Sequence, residues 1–579
     1  MSSAVRSAWP WLWAALAGLA QAVSLAWPWG LSQADWTATA HTWLPVPGQP
    51  WPGLQLLAMA VLVHLLRRSP NARMAAGLGG VFAWAWLAGT FWWLYVSMHT
   101  HGGLAAPLAV LAVLALAALL ATYVAAFSAI FRLLLHSRID VAAAIFNALA
   151  FAACWTLAEL ARGVLFTGFP WGAVGYAHVN ALAWAAPWVG VYGMGALAAF
   201  LAALLAGGLA LTQGPRWPGA AVWGWLMVAL APLCLAAGPW LRTAGAGATR
   251  AHGELPLVLL QGNIAQDDKF DADRGIPQAL AWYSQRLAAG GGATQGALVV
   301  APETALPLLP QQLGSDFWQP LLGQLAEGNH AVMLGLPLGN HTQGFANAVW
   351  AITPRQAWQA QTRLSQGESA ERLDQPDASG QNTPFFRYDK HHLVPFGEFV
   401  PPLFRWFVDL MAIPLGDFNR GRLGQPALEW NGQRIAPNIC YEDLFGEELA
   451  RGFVHAGSAP TVLVNVSNLA WFGSTVALDQ HLHISRLRAL ELGRSMVRAT
   501  NTGATVVIDH EGRVTHAQPR QTEGVLTASV QGRTGLTPFA WWASRWGLWP
   551  VWWLAVAVLV LAGLARARRR VTDGGSTGP

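Results

Sequence analysis

Three residues of this 579-residue chain place a reactive side chain at a strand end or a strand-adjacent turn. Cys440 sits in Asn438-Ile439-Cys440-Tyr441-Glu442-Asp443. Glu303 follows an apolar run in Ala301-Pro302-Glu303-Thr304. Lys390 sits in Tyr388-Asp389-Lys390-His391-His392. The other two of the three cysteines, Cys154 and Cys234, lie in long apolar stretches, so Cys440 has no disulfide partner in the polar part. A lone thiol beside acids at a strand end is a nucleophile candidate, with a buried small hydrophobe as the plain alternative. Glutamate is rarely buried unless paired or functional; a solvated loop acid is the plain alternative for Glu303. The chain has two lysines, Lys269 and Lys390, against 33 arginines. Where arginine serves for generic positive charge, a retained Lys390 points to a need for a compact ammonium, with chance as the alternative. Together the three describe one chemistry. A cysteine nucleophile needs a base, which Glu303 could supply. The acyl intermediate needs a cation or donor at its oxyanion, which Lys390 and the backbone N–H of Tyr441 could supply.

These residues need strands to hold them. Residues 255–260, 297–300, 331–336, 434–439 and 461–466 are short apolar runs of strand type. Residues 506–514 read as a hairpin turning at 510–512, and 479–498 as a helix. Alternating strand and helix predict an α/β domain, whose sites gather at the carboxyl ends of strands. Residues 354–384, rich in Gln, Ser, Asp and Pro without an apolar period, read as an exposed loop or insertion. No Walker motif, dinucleotide fingerprint or zinc-ligand spacing occurs, so neither cofactor nor metal is expected.

Composition sets this domain in a membrane protein. Hydrophobic residues make up 54% and charged residues 11%, against ~25% charged in soluble domains, and the mean hydropathy is +0.34. An ordinary cytosolic enzyme and a disordered chain are both excluded. Residues 1–250 carry ten Arg, two Asp, one Glu and no Lys. Apolar stretches of bilayer length fall at 9–29, 53–66, 75–98, 104–127, 141–165, 182–212, 219–241 and 548–565. The first has Trp- and Pro-rich flanks and no small-residue cleavage site, so it reads as a retained helix. Arg67, Arg68 and Arg73 follow the second stretch, Arg132 and Arg138 the fourth, Arg216 the sixth, and Arg566, Arg568, Arg569 and Arg570 the eighth. The loops after the first and third hold no Lys or Arg. The positive-inside rule then predicts eight spans with both termini cytoplasmic, and the polar part outside, in a bacterium the periplasm. The expected organisation is 1–245 a seven-helix membrane domain, 246–545 the catalytic domain, 546–566 an eighth span and 567–579 a cytoplasmic tail. The net charge of +5 reflects arginines flanking apolar segments, so no nucleic-acid partner is expected. Glu159 and Arg162, at i, i+3, read either as a functional pair near a helix end or as a structural ion pair.

The motifs carrying these residues are specific. APETALPL, YDKHHLVPFGEFVP, NICYEDLF and VNVSNLAWFG resemble the Glu-Lys-Cys motifs of the nitrilase superfamily. Combined with the predicted spans, QGNIAQ, ELARGVLFTGFPWG, HLHISRLRALELGRSMVRATNTG and TGLTPFAWW, they resemble the apolipoprotein N-acyltransferases over roughly residues 5–565. The resemblance implies an α-helical transmembrane bundle of seven plus one spans carrying a nitrilase-like α-β-β-α sandwich at its periplasmic face. It implies a ping-pong reaction. Cys440 would take the sn-1 acyl chain of a phospholipid, usually phosphatidylethanolamine, as a thioester. The α-amino group of the diacylglyceryl-cysteine of an apolipoprotein would then accept it. Glu303 matches the general base, Lys390 the oxyanion-stabilising residue, Glu398 a second supporting glutamate, and Tyr441 and Glu442 the residues that shape the site. Leu469 stands where the family usually has Asp, and Phe270 where Trp is common.

The lipid substrates fit the composition, since withdrawing acyl chains from a bilayer costs ~0.8 kcal/mol per CH₂. Two other readings use the same residues differently: a membrane-tethered amidase acting on small amides, and a transporter whose outer domain only binds ligand. Nothing in the sequence decides between monomer and oligomer.

Overall fold

A computed structural model describes residues 3–31, 35–37, 44–213, 219–241, 247–375, 384–401, 405–408 and 417–574. Arg216, the 245/246 boundary, part of the 354–384 segment (376–383) and the last residues of the tail lie outside the described residues. The chain forms two compact units. One comprises Met1–Leu94, Pro107–Gly245 and Trp546–Pro579; the other comprises Tyr95–Ala106 and Ala246–Arg545.

The first unit is helical. Its long helices are α1 (Ser3–Leu25), α2 (Pro52–Arg68), α3 (Ala72–Phe91), α4 (Ala106–Leu134), α5 (Val141–Val164), α6 (Ala186–Gln213), α7 (Ala220–Leu241) and a C-terminal helix, Trp549–Gly574. Local chemistry sets their starts. Asn71 caps α3 by accepting from the Met74 N–H at 2.9 Å, and Asp140 caps α5 by accepting from the Ala143 N–H at 2.8 Å. Six segments, those of α3 to α7 and the C-terminal helix, are long and apolar enough to cross a membrane. Without a hydrophobic drive between helices in lipid, small residues bring backbones close. A Cβ at Gly208 of α6 would lie 2.7 Å from the Gly224 carbonyl oxygen of α7, and one at Gly224 2.8 Å from that of Gly208. Three arginines that flank apolar stretches donate to carbonyls of neighbouring segments: Arg67 to Ala206, Arg132 to Ser69 and Arg566 to Leu135.

The second unit is a four-layer sandwich. One sheet runs β12-β1-β2-β3-β4-β5 and the other β11-β10-β9-β8-β7-β6. The strands are β1 (Thr249–Gln261), β2 (Leu298–Val300), β3 (Ala331–Asn340), β4 (Gly344–Ile352), β5 (Phe386–Asp389), β6 (Leu428–Trp430), β7 (Gln433–Ile439), β8 (Val462–Ser467), β9 (Ser495–Thr500), β10 (Val506–Ile508), β11 (Val514–Ala517) and β12 (Gly524–Gly535). Side chains alternate faces along a strand. Leu255, Leu257 and Leu259 of β1 therefore enter the core between the sheets, with Ile435, Val464 and Val497. Val258 and Leu260 face the other way, onto Trp282 of α8 (Gly275–Ala289), Trp318 of α9 (Ser315–Glu327) and Ala357 of α10 (Pro354–Ser365). The second sheet's outer layer includes the wholly buried helix Ala477–Leu492.

Two expectations are corrected. The 354–384 segment opens with a helix, α10, rather than a loop. Thr353 accepts from the Gln356 N–H while the Gln356 side chain accepts from the Thr353 N–H, a capping box over Pro354. The expected helix 479–498 stops at Gly493, whose φ of +61° ends it, and 495–500 is β9.

Candidate active site

The site is built at strand ends from both sheets. β7 delivers Cys440, whose φ of +51° places a non-glycine residue in the left-handed region at the start of a tight helical turn. Such backbone strain clusters at functional turns. β2 delivers Glu303, followed by Thr304 at φ +52°. That turn needs room, and β3 provides it: a Cβ at Gly335 would lie 2.7 Å from the Glu303 Cα and 2.6 Å from the Thr304 nitrogen. Lys390 directly follows β5, and its N–H donates to the Asn347 carbonyl of β4 at 2.9 Å.

Four side chains close into a ring. The Lys390 Nζ lies 2.8 Å from Glu398 Oε1 and 3.3 Å from Glu303 Oε1. Asn347 Nδ2 donates to the same two atoms, at 2.8 Å to Glu303 and 2.7 Å to Glu398. The remaining carboxylate oxygens take main-chain donors. Glu303 Oε2 accepts from the Asn468 N–H, and Glu398 Oε2 from the Val394 N–H, both at 2.8 Å. All four side chains are buried.

Burial works against the charge on Glu303, but Lys390, Asn347 and Lys269 outweigh it and hold the carboxyl below the usual carboxylate range. Burial opposes the charge of Lys390 too, yet Glu303 and Glu398 raise its pKa. The Cys440 thiol is pushed up, by burial first and then by Glu303, against a smaller pull from Lys390. At neutral pH the resting site is therefore a neutral thiol beside an ionised glutamate and an ammonium.

Glu442 ties the nucleophile turn to the Lys390 segment. Its carboxyl accepts from the N–H groups of Ile439 and His391, each at 2.7 Å, and from the Tyr388 hydroxyl at 3.0 Å. Burial raises its pKa to about 7 against those donors. Tyr441 is buried, with its ring 5.6 Å from that of His392 and 5.4 Å from that of Phe445. Behind the turn, Asp443 accepts from Arg498 at 3.2 Å and from the Ser485 hydroxyl, and its other carboxylate oxygen lies 3.1 Å from His481 Nε2, all buried.

The six residues singled out from the sequence thus lie on one strand-end cluster or the turns bracing it. Lys269, Asn347, Asn468 and the Asp443–His481–Arg498 group were not singled out. Lys269 carried a signal, as one of two lysines; Asn347 carried none. Leu469 is fully buried and Phe270 exposed. In the helical unit, Glu159 and Arg162 each bind the 165–174 loop. Arg162 donates to the carbonyls of Phe169 at 2.5 Å and Trp171 at 2.7 Å, and Glu159 accepts from the Val174 N–H at 2.8 Å.

Known proteins resemble the chain over nearly its whole length. Residues 38–204 match the apolipoprotein N-acyltransferase N-terminal domain family, and residues 259–539 match the carbon-nitrogen hydrolase family. A protein of Verminephrobacter eiseniae (strain EF01-2) named apolipoprotein N-acyltransferase is 49% identical over 567 residues, covering 93% of this chain and 94% of that protein. Proteins of the same name from Ralstonia nicotianae and Bordetella bronchiseptica are each 41% identical. The first covers 91% of this chain and 92% of its own length, the second 91% and 94%.

Proposed function

Because the chain belongs to the apolipoprotein N-acyltransferase family, we propose that it moves the sn-1 acyl chain of a phospholipid, with phosphatidylethanolamine the expected donor, onto the α-amino group of the S-diacylglyceryl-cysteine that begins an apolipoprotein. It is a membrane acyltransferase of lipoprotein maturation. The observation that carries the mechanism is the pairing of an ionised Glu303 with the strained, neutral Cys440.

In the first half-reaction Glu303 takes the proton of Cys440 as Sγ attacks the ester carbonyl. Lys390 and the Tyr441 N–H stabilise the oxyanion. Collapse breaks the ester C–O bond, Glu303 returns its proton to the departing lysophospholipid oxygen, and a thioester remains. In the second half the acceptor amine attacks the thioester, its proton passes to Glu303, and the thiolate leaves and is reprotonated. An ester becomes an amide without nucleotide energy. Glu398 and Asn347 hold Lys390 and Glu303 at fixed separation, and Glu442 and Tyr441 fix the nucleophile turn. The flanking arginines support cytoplasmic termini and a catalytic domain on the periplasmic face of the inner membrane.

The test is intact mass of the full-length protein after incubation with phosphatidylethanolamine. A fatty-acyl mass on the Cys440 peptide, released by hydroxylamine and absent in Cys440→Ala, is expected. An unmodified Cys440 in folded protein would refute the phospholipid thioester.

A further inference from the structure

The chain keeps two lysines among 35 basic residues, and both converge on Glu303. Lys390 binds its carboxylate, while Lys269 Nζ donates to its main-chain carbonyl at 3.2 Å. Lys269 is 2% exposed. It lies in the loop after β1, which is pinned just ahead of Lys269. Asn501 accepts from the Ile264 N–H and donates to the Ile264 carbonyl, and Asn468 donates to the Gln266 side chain. Among the described residues, no carboxylate lies within ion-pair distance of the Lys269 ammonium. Lys390, by contrast, is engaged by two. Glu303, Glu398 and Lys390 alone sum to one negative charge, and proton transfer from Cys440 to Glu303 moves a negative charge from the carboxylate onto sulfur.

Resting on the thioester reading above, we propose that Lys269 is a second cation of the acyl-transfer site, whose ammonium offsets the negative charge of Cys440 as the thiolate forms and as it is expelled. Lys390 then remains with the oxyanion, and Lys269 serves the sulfur. Electrostatic coupling of Lys269 to both Glu303 and Cys440 agrees with this. Burial lowers the pKa of Lys269 to about 8, and those two groups are what keep it from falling further. A buried amine with no partner beyond a carbonyl is otherwise a costly choice, and arginine, the chain's usual cation, would bring a planar fork in place of a point charge.

The experiment measures alkylation of Cys440 by iodoacetamide against pH in full-length wild type, Lys269→Gln, Lys269→Met and Lys269→Arg. The charged groups facing Cys440 in all four are Glu303, Lys390, Glu398, Asp443 and Arg498. Glutamine keeps a donor for the Glu303 carbonyl and removes the charge, so it separates the two roles. The expected result is a Gln profile displaced to higher pH by about one unit, with alkylation at pH 8 about tenfold slower, a similar Met profile, and an Arg profile near wild type. A wild-type profile in folded Lys269→Gln would overturn the proposal and leave Lys269 a structural tether. Failure of both neutral variants to fold where Lys269→Arg folds would also overturn it. Alkylation needs no acyl donor. A shifted profile with no acyl-enzyme from phosphatidylethanolamine would therefore keep this inference and refute the donor.

Discussion

Glu303 stays ionised at a depth where burial alone would neutralise it, and that decides which proton moves first. In the proposed mechanism the base is therefore ready before substrate arrives, while the thiol it would serve is still protonated. Replacing it by the neutral isostere removes the acceptor but keeps the shape. Glu303→Gln is expected to slow acyl-enzyme formation by about 10²–10⁴-fold, the usual worth of a general base, with Cys440 still present and the protein still folded. Acyl-enzyme with normal kinetics would remove Glu303 from that role. The sign with pH follows. A carboxyl held below 4.5 is an active base at every pH above its own pKa and is lost only as pH falls through it. Thioester formation should therefore be flat from pH 7 to 5. Amide formation should decline below about 7.7, where an α-amino group takes up its proton. Single-turnover measurement of the two halves separates them, with Glu442→Gln run beside wild type because Glu442 itself titrates at about 7; an acylation rate that falls between pH 7 and 5 in both would contradict the ionised glutamate. Much of this was legible in residue types. Cys440, Glu303 and Lys390 stand out because each is unusual for its place. Asn347 does not, because an asparagine inside an apolar strand reads as a strand residue until the fold sets it across from Lys390.

Elements were legible where their burial is one-sided or their runs are apolar, and illegible where polar residues are buried. Strands β2, β3, β7 and β8 were read at nearly their true places. The helix Ala477–Leu492 is buried on every side although it carries Arg486, Arg488 and Glu491, so no stripe marks its end, and only Gly493 does. Helix α10 hides because its buried face includes Gln356, Gln359 and Arg363. The buried polar helix has a purpose at the site: Asp443, three residues after the strained Cys440, is held by His481 and Ser485 from it and by Arg498 from β9. Removing one partner of such a pair leaves the other charge buried and alone. Asp443→Ala is expected to destabilise the protein by about 3–5 kcal/mol, read as a lowered melting midpoint in detergent. The double variant Asp443→Leu with Arg498→Met, which removes both charges, should recover part of that loss. A double variant as unstable as the sum of the singles would show that the pair does not act as a unit.

At the scale of the whole molecule, the side of the membrane on which Cys440 works depends on parity. Helix α2, at 17 residues, is shorter than any of the six apolar segments, and α1, at 23 residues, is long enough but is not among the six. Yet they come as a pair, so crossing by both or by neither leaves everything after α2 on the same side. Under the proposed topology an odd number of crossings precedes the catalytic domain either way, and one follows it. The arginines at 67, 68, 73, 132 and 138 carry the proposed sense of the chain. Cysteine labelling with a membrane-impermeant reagent tests this in a Cys440→Ala background. Gly457→Cys, on an exposed turn of the catalytic unit, should label in spheroplasts, while Ala567→Cys should label only after the membrane is opened. Reversal of that pair would overturn the orientation whatever the number of spans. Asp35→Cys, at an exposed position between α1 and α2, then settles the number. Labelling from outside means that both helices cross and the spans are eight. Protection until permeabilisation means that they do not, and that the bilayer holds six.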